Sequence, residues 1–429
     1  MEELTRHEDQ EGVPTPRPRE VGDGPLIDRE RGPQPPYERA LALHRDGQLG
    51  EAAAAYREVL ASDPDHFGAL HLLGVISGQL GHYTEAVLLI EQAVRIDPGI
   101  AAAHANLGNA QCALGWFDKA LTSYQRALTL QPDHRWALMG QGKARRSIGR
   151  LTEALASYEA ALEIEPECSE SLMNRGDILL MLGRRSEGAA SLRHAVIRGA
   201  DPERIHFVLA SVGLEAVPEM APAGYVTDLF DNYADRFDAA LIEGLQYRTP
   251  ELLAQLVLRD SPATPLDILD LGCGTGLCGP LLRPIARRLA GVDLSARMLA
   301  QARGRGVYSE LECIEITDYL APRLEEFDLV IASDVFVYLG DLAPVFAGVQ
   351  RALRAGGRFA FSVEAGEQRD YDLAETRRYR HSRPYLDRLA AEHGFDVDAM
   401  ENTVLRRNGG SDVDGHLALL RLADPRRSG

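Results

Sequence analysis

From about residue 34 to residue 200, apolar positions recur every three to four residues and are interrupted at regular intervals by glycine and proline. That pattern predicts a series of short amphipathic helices. The interruptions are themselves periodic. Prolines stand at Pro64, Pro98, Pro132 and Pro166, each 34 residues after the last (98 − 64 = 34). Gly47, Gly81, Gly115, Gly149 and Gly183 keep the same step, as do the small residues Ala52, Ala86, Ala120, Ala154 and Gly188. One period held in several registers marks an internal repeat. In one unit, Leu73-Gly74 through Leu80-Gly81 is followed by Tyr83, Ala86, Ile90, Ala93 and Ile96-Asp97-Pro98. The glycine lets the chain leave the first helix with positive φ and the proline closes the second, so each unit is predicted to be a helix hairpin. Gly74, Gly108, Gly142 and Gly176 allow close approach of paired helices, and Tyr56, Tyr124 and Tyr158 fill the space between units.

These units resemble tetratricopeptide repeats. The resemblance implies an all-α solenoid whose concave face binds an extended peptide or a partner helix. An array that only spaces, solubilises or dimerises its neighbour remains open, because a period specifies a fold and not a ligand. Residues 201–213, with Ile205, Phe207, Val208 and Leu209 apolar, are predicted as a last helix covering the open end. Residues 1–32, dense in Pro, Glu, Arg and Gly, read as a disordered leader. The repeats with their capping helix then occupy 33–214, and 215–224, carrying Pro218 and Pro222, read as a linker. From 225 to 429, strand-like apolar runs alternate with helical stretches, the pattern of a doubly wound parallel sheet.

Within that last segment, Leu266-Asp267-Ile268-Leu269-Asp270-Leu271 is a buried-strand run that enters Gly272-Cys273-Gly274-Thr275-Gly276. Three glycines let backbone N–H groups approach a ligand without Cβ interference. A second strand ends at Asp293, 21 residues after Gly272 (293 − 272 = 21), where an acid can accept ribose hydroxyl bonds. A dinucleotide turn would need its third glycine at Leu277, and a carboxylate at Asp270 would repel a pyrophosphate while suiting a cationic amino-acid moiety. S-adenosylmethionine is the ligand favoured.

The segment resembles the class I (Rossmann-like) methyltransferases, whose first motif is an acidic residue followed by L/V-G-x-G-x-G. The resemblance covers nearly all of residues 226–422 and implies a mostly parallel seven-stranded sheet with S-adenosylmethionine as cofactor. Carried over residue by residue, it implies that Asp270, Gly272, Gly274 and Gly276 line the methionine end, that Asp293 holds the ribose, and that Leu294 and Met298 flank the adenine. Asp318, in Ile316-Thr317-Asp318-Tyr319, would meet the adenine amino group. Phe327 to Ser333-Asp334 matches the fourth strand, whose end, including Ser333, faces cofactor and acceptor. An element like Asn232-Tyr233-Ala234-Asp235-Arg236-Phe237-Asp238 folds over the cofactor in many small-molecule members, which points to Tyr233 and Phe237.

Methyl transfer from a sulfonium needs alignment and exclusion of water before it needs a base. Where the acceptor must lose a proton, Asp334, Tyr338, Glu364 and His381 are the candidates. Arg380, Arg383, Arg406 and Arg407 could orient an anionic acceptor or merely pair with surface acids. Ser333-Asp334-Val335-Phe336 departs from the Asn-Pro-Pro-Tyr type sequence that the family shows when it methylates amide or nucleobase nitrogens. The expected function is an S-adenosylmethionine-dependent methyltransferase whose repeats dock the acceptor or a partner protein. Two alternatives stand beside it: a small-molecule methyltransferase with repeats for assembly, and a non-catalytic scaffold that senses the cofactor.

Composition narrows the setting. The 429 residues are 45% hydrophobic and 26% charged, enough for more than one core. A formal charge of −18 disfavours nonspecific nucleic-acid binding. Five scattered cysteines read as reduced thiols, and no zinc-ligand spacing is present, so no metal is expected. With neither a secretory-type start nor an apolar run of membrane length in the sequence, the expected location is the cytoplasm.

Overall fold

The computed structural model describes residues 35–233, 247–259, 264–367, 369–408 and 411–423. The expected leader lies outside them. The chain divides into two compact units between Ala200 and Asp201. Among the described residues, no helix is long and apolar enough to cross a membrane.

The first unit is five helix hairpins: α1 (Pro36–Arg45) with α2 (Leu49–Ser62), α3 (Phe67–Gln79) with α4 (Tyr83–Ile96), α5 (Ala101–Ala113) with α6 (Phe117–Leu130), α7 (Arg135–Ser147) with α8 (Leu151–Ile164), and α9 (Ser169–Met181) with α10 (Arg185–Ile197). Each turn is closed the same way. The glycine takes a φ of 75 to 83°, and the next N–H reaches back five residues, as in His82 to Ser77 and Trp116 to Gln111. Only glycine holds that conformation without strain. Tyr124, 1% exposed, packs against both Gly108 and Gly140, where an added Cβ would come within 2.6 and 2.5 Å of its ring. Its hydroxyl donates to Asn109 Oδ1 at 2.7 Å, so the buried phenol is satisfied.

The second unit begins with α11 (Pro202–Ser211), α12 (Ala223–Tyr233) and α13 (Thr249–Leu258). An α/β domain follows: β1 (Leu266–Leu271), α14 (Cys278–Leu282), β2 (Ala286–Asp293), α15 (Ala296–Gly304), β3 (Glu310–Cys313), α16 (Ile316–Leu320), β4 (Phe327–Ala332), α17 (Ala343–Ala352) and β5 (Leu353–Gly366). It closes with β6 (Tyr371–Leu373), β7 (Tyr379–Ser382), α18 (Arg383–Glu392), β8 (Phe395–Asn408) and β9 (Ser411–Leu422). Strands β3-β2-β1-β4-β5 are parallel, β9 runs antiparallel to β5, and β8 antiparallel to β9. These are the seven strands expected. The short β6–β7 hairpin is added to them, β7 running parallel to β5 at Glu364–Gly366. Glu364 pairs with Gly415 on one side and Arg380 on the other, so β7 takes up the edge of β5 that β4 leaves free.

Alternate strand residues supply two cores, as a sheet covered on both faces requires. Leu269, Leu271, Val330 and Phe361 pack with Phe346 and Leu386 on one face. Ile268, Leu329 and Ile331 pack with Leu253, Val257 and Leu282 on the other.

A third cluster joins α11 to this unit: Phe207 and Ala210 pack with Ala221, Tyr225, Tyr338 and Tyr379. The stretch read as a linker is strapped down by backbone bonds. Ala221 N–H donates to Tyr338 O at 2.9 Å, Gly340 and Asp341 N–H donate to Glu219 O at 2.7 and 2.9 Å, and Tyr379 Oη donates to Pro218 O at 2.8 Å. Proline lacks a donor, yet its carbonyl and its neighbours' groups still pair.

Candidate active site

The carboxyl ends of the parallel strands open into a cleft enclosing about 1350 Å³ of non-protein space, its solvent-filled mouth included. The turn after β1 forms its floor. Gly272, Gly274 and Gly276 have φ of 61, 55 and 82°. A Cβ on Gly272 would meet Val335 Cγ2 at 2.2 Å, so backbone packs directly on side chain there. A Cβ on Gly274 would meet nothing within 4 Å, because it would project into open space. The turn is tied to β2 through Cys273 N–H to Val292 O and Gly274 N–H to Asp293 Oδ2, both 2.9 Å.

Two strand-end acids flank the turn. Asp270 is 1% exposed and accepts Tyr308 Oη at 2.6 Å. Burial, with the nearby Asp293 adding to it against that hydrogen bond, pushes its carboxyl up to about 7. Among the described residues no cation pairs with it, so a positively charged ligand group would complete the site. Asp293 is also raised by burial, although the N–H groups of Ser295 (2.8 Å, to Oδ1) and Gly274 hold its charged form. Asp293 therefore shapes the turn and the entry to α15 besides lining the cleft. From α12, Asp231 accepts Ser295 Oγ at 2.5 Å, while Val226, Leu229 and Phe230 of that helix form an apolar wall of the cleft.

At the end of β3 the wall is Ile314, Glu315 and Ile316. Glu315 caps α16, its Oε2 accepting Thr317 N–H at 2.6 Å and Asp318 N–H at 3.2 Å. Asp318 is exposed on the first turn of α16 and does not line the cleft. Met298 is fully buried in the first turn of α15, its N–H donating to Ser295 Oγ at 3.0 Å, and it too stands off the cleft wall. Gly276 turns toward Tyr308 and Ala302. The Tyr233 side chain and Phe237 lie outside the described residues. Asp270, Gly272, Gly274, Asp293, Leu294 and Ser333 do come together around the cleft.

Beyond β4, Asp334 takes a φ of 58°, rare outside glycine, and its N–H donates to Ser362 Oγ at 2.8 Å. Both of its carboxylate oxygens accept Arg406 Nη1, at 3.1 and 3.2 Å. Arg406, from β8 and 1% exposed at its side chain, also donates through Nη2 to Glu364 Oε1. Arg378, from the turn before β7, stands 3.8 Å from Asp334 and 3.9 Å from Glu364 and lies over the Tyr338 ring at 5.7 Å. The buried Glu364, the partly exposed Asp334 and two buried guanidinium groups thus compensate one another. Tyr338 lines the cleft edge-on to Phe230, 5.4 Å between ring centroids. His381 does not reach the cleft. It is fully buried in β7, stacked on Tyr385, with Nε2 3.0 Å from Gly340 O, and burial lowers its pKa to about 4.

Sequence reasoning passed over Glu315, the flanking isoleucines and Arg378, and named Arg406 among four arginines that could orient an anionic acceptor or pair with surface acids. For Glu315 the available signal was its place as the first acid after the third strand.

Comparison with known proteins agrees with this architecture. A methyltransferase-domain family matches residues 269–361, and a tetratricopeptide-repeat family matches four overlapping windows from 37 to 205. The ubiquinone biosynthesis O-methyltransferase of Thiobacillus denitrificans is 30% identical over 120 residues, 27% of this chain and 51% of that one. The malonyl-[acyl-carrier protein] O-methyltransferase of Acetivibrio thermocellus is 32% identical over 138 residues, 31% of this chain and 47% of its own. The chain thus spans about half the length of these curated relatives. The crystal structure of MamA aligns with 37% of this chain and 93% of its own at 24% identity and a TM-score of 0.35. The glycine turn, the strand-end acids and the helix hairpins agree with these matches: a tetratricopeptide-repeat array is followed by a Rossmann-like domain that matches the methyltransferase-domain family over residues 269–361.

Proposed function

We propose that the chain transfers a methyl group from S-adenosylmethionine to an acceptor admitted at the carboxyl ends of β4 and β5, and that its repeats dock that acceptor or the protein carrying it. The observation that carries the catalytic half is the turn at Gly274. It presents backbone to open space between the partly exposed Asp293 and the buried Asp270, which lacks a cation among the described residues.

Asp270 would receive the ammonium of the methionine end, Asp293 the ribose, and Leu294 with Ile314 and Ile316 the adenine. When bound there, the cofactor supplies an electrophilic methyl group whose leaving group is a neutral thioether. The chain's own residues align the acceptor and keep water out. Met220, Ala221, Ala223, Val226, Leu229, Phe230 and Leu339 make that end of the cleft apolar. The O-methyltransferases among its relatives support transfer to oxygen, and one of them acts on a malonyl group held by a carrier protein. A docking array followed by a methyltransferase domain suits an acceptor delivered in that way.

Incubating the full chain with S-adenosylmethionine and fractionated cell extract tests the reading. Adenosylhomocysteine should form only when one extract fraction is present. No formation with any fraction would contradict it.

A further inference from the structure

We propose that Tyr308 is a positioning residue for cofactor binding: seated outside the cleft, it turns the Asp270 carboxylate so that one oxygen is left for the ammonium group at the ligand's amino-acid end. This rests on the cleft being the S-adenosylmethionine site and adds to it a residue that the ligand does not touch. The first observation is the hydrogen bond. Tyr308 Oη donates to Asp270 Oδ2 at 2.6 Å, and among the described residues Asp270 Oδ1 accepts no hydrogen bond. Asp270 lines the cleft and Tyr308 does not. The phenol therefore fixes the rotation of the carboxylate through one oxygen and spares the other.

The second observation is the seat of the ring. A Cβ on Gly276 of the turn or on Gly279 of α14 would come within 2.8 Å of the Tyr308 ring, and one on Gly291 of β2 within 3.0 Å. Gly276 also takes a positive φ, but Gly279 and Gly291 do not, so at those two positions the missing side chain makes room for neighbours, the Tyr308 ring among them. Three elements thus leave space for this ring. Phenylalanine would fill the same space; the hydroxyl is the part that needs a polar partner, and among the described residues Asp270 is that partner. The groups that face the Asp270 carboxyl are Tyr308, Asp293 at the end of β2, and the thiols of Cys273 in the turn and Cys278 in α14, with Arg305 crossing the turn to donate from Nε to Thr275 O. Burial keeps both thiols neutral, and Asp293 works against the charged carboxylate. The Tyr308 hydrogen bond favours it.

Adenosylhomocysteine carries the same amino-acid end, and its affinity for the full chain is measured by calorimetry from pH 5.5 to 8.5. Tyr308→Phe keeps the ring and removes the bond. It should weaken binding about tenfold at pH 7 and move the fall in affinity upward by about one pH unit, so that the loss shrinks toward pH 8.5. In an Asp270→Ala background, which has no carboxylate to turn, Tyr308→Phe should change affinity by less than about twofold. A ring that mattered only for packing would weaken binding equally in both backgrounds and leave the pH profile in place. A parent-like profile for Tyr308→Phe, or an equal loss with and without the Asp270 carboxylate, overturns the positioning role and leaves the cofactor site standing. A parent chain that binds no adenosylhomocysteine overturns the cofactor site and this role with it.

Discussion

Asp270 carries a consequence that can be read in a pH titration. Its carboxyl is held near 7 by burial, with Asp293 raising and the Tyr308 hydroxyl lowering it. A ligand ammonium favours the charged carboxylate, so protonation competes with binding. Adenosylhomocysteine affinity should fall about tenfold per pH unit below 7 and level off above it. Calorimetric titrations from pH 5.5 to 8.5 check this, and Asp270→Asn should bind weakly with a flat profile. The same shift acts on stability with a definite sign. The folded carboxyl is raised above its ordinary 3.8, so the folded state binds the extra proton between 3.8 and about 7, and stability is lost as pH rises through that window. Asp270→Asn should therefore melt above the parent at pH 8, by up to about 4 kcal/mol, and match it near pH 4. Arg406 behaves oppositely. Arg406→Gln leaves the buried Glu364 and the partly exposed Asp334 with Arg378 at a longer distance, and should cost about 3–5 kcal/mol in chemical denaturation.

At the scale of elements, the glycine turn separates folding from binding. Gly272→Ala forces a Cβ to within 2.2 Å of Val335 and should destabilise the domain severely. Gly274→Ala pays only backbone strain of about 1–2 kcal/mol, yet puts a methyl group into the cleft and should weaken adenosylhomocysteine at least tenfold. Thermal melts and titrations of the two variants distinguish them. The same turn was legible in the sequence because glycine, acid and strand stand next to each other along the chain. The repeats were legible for a related reason, since each unit restates the same turn and closing proline. Asp318 and Glu315 show where that legibility ends. Three residues apart on a strand–helix junction, one caps the helix beside the cleft and the other faces solvent, a distinction set by where α16 starts. Arg378 was not legible as a site residue, and Arg406 was legible only as one of four arginines that could orient an anionic acceptor or pair with surface acids. They reach Asp334 from the β6–β7 hairpin and from β8 through strand pairings far apart in sequence. The β6–β7 hairpin, with strands of three and four residues, carries no periodic signal.

For the whole molecule, the boundary between the units decides how the chain can be cut. Prolines at 218 and 222 suggest a cut near residue 214 or 224. The packing of Phe207 and the strap from Pro218 to Ala221 instead place the start of the second unit at Asp201. A fragment of residues 201–429 should bind adenosylhomocysteine as the full chain does. One of residues 225–429 loses the Phe207 contacts, a change of about 3–5 kcal/mol for one buried aromatic, and should melt about 10 °C lower and bind poorly. Differential scanning fluorimetry of the two fragments checks the boundary. The central claim is that the cleft over Gly274 holds S-adenosylmethionine, and the most direct measurement is calorimetric titration of the full chain with adenosylhomocysteine. One site per chain is predicted, weakened at least tenfold by Gly274→Ala. No binding by the intact chain, or binding that Gly274→Ala leaves unchanged, would contradict it.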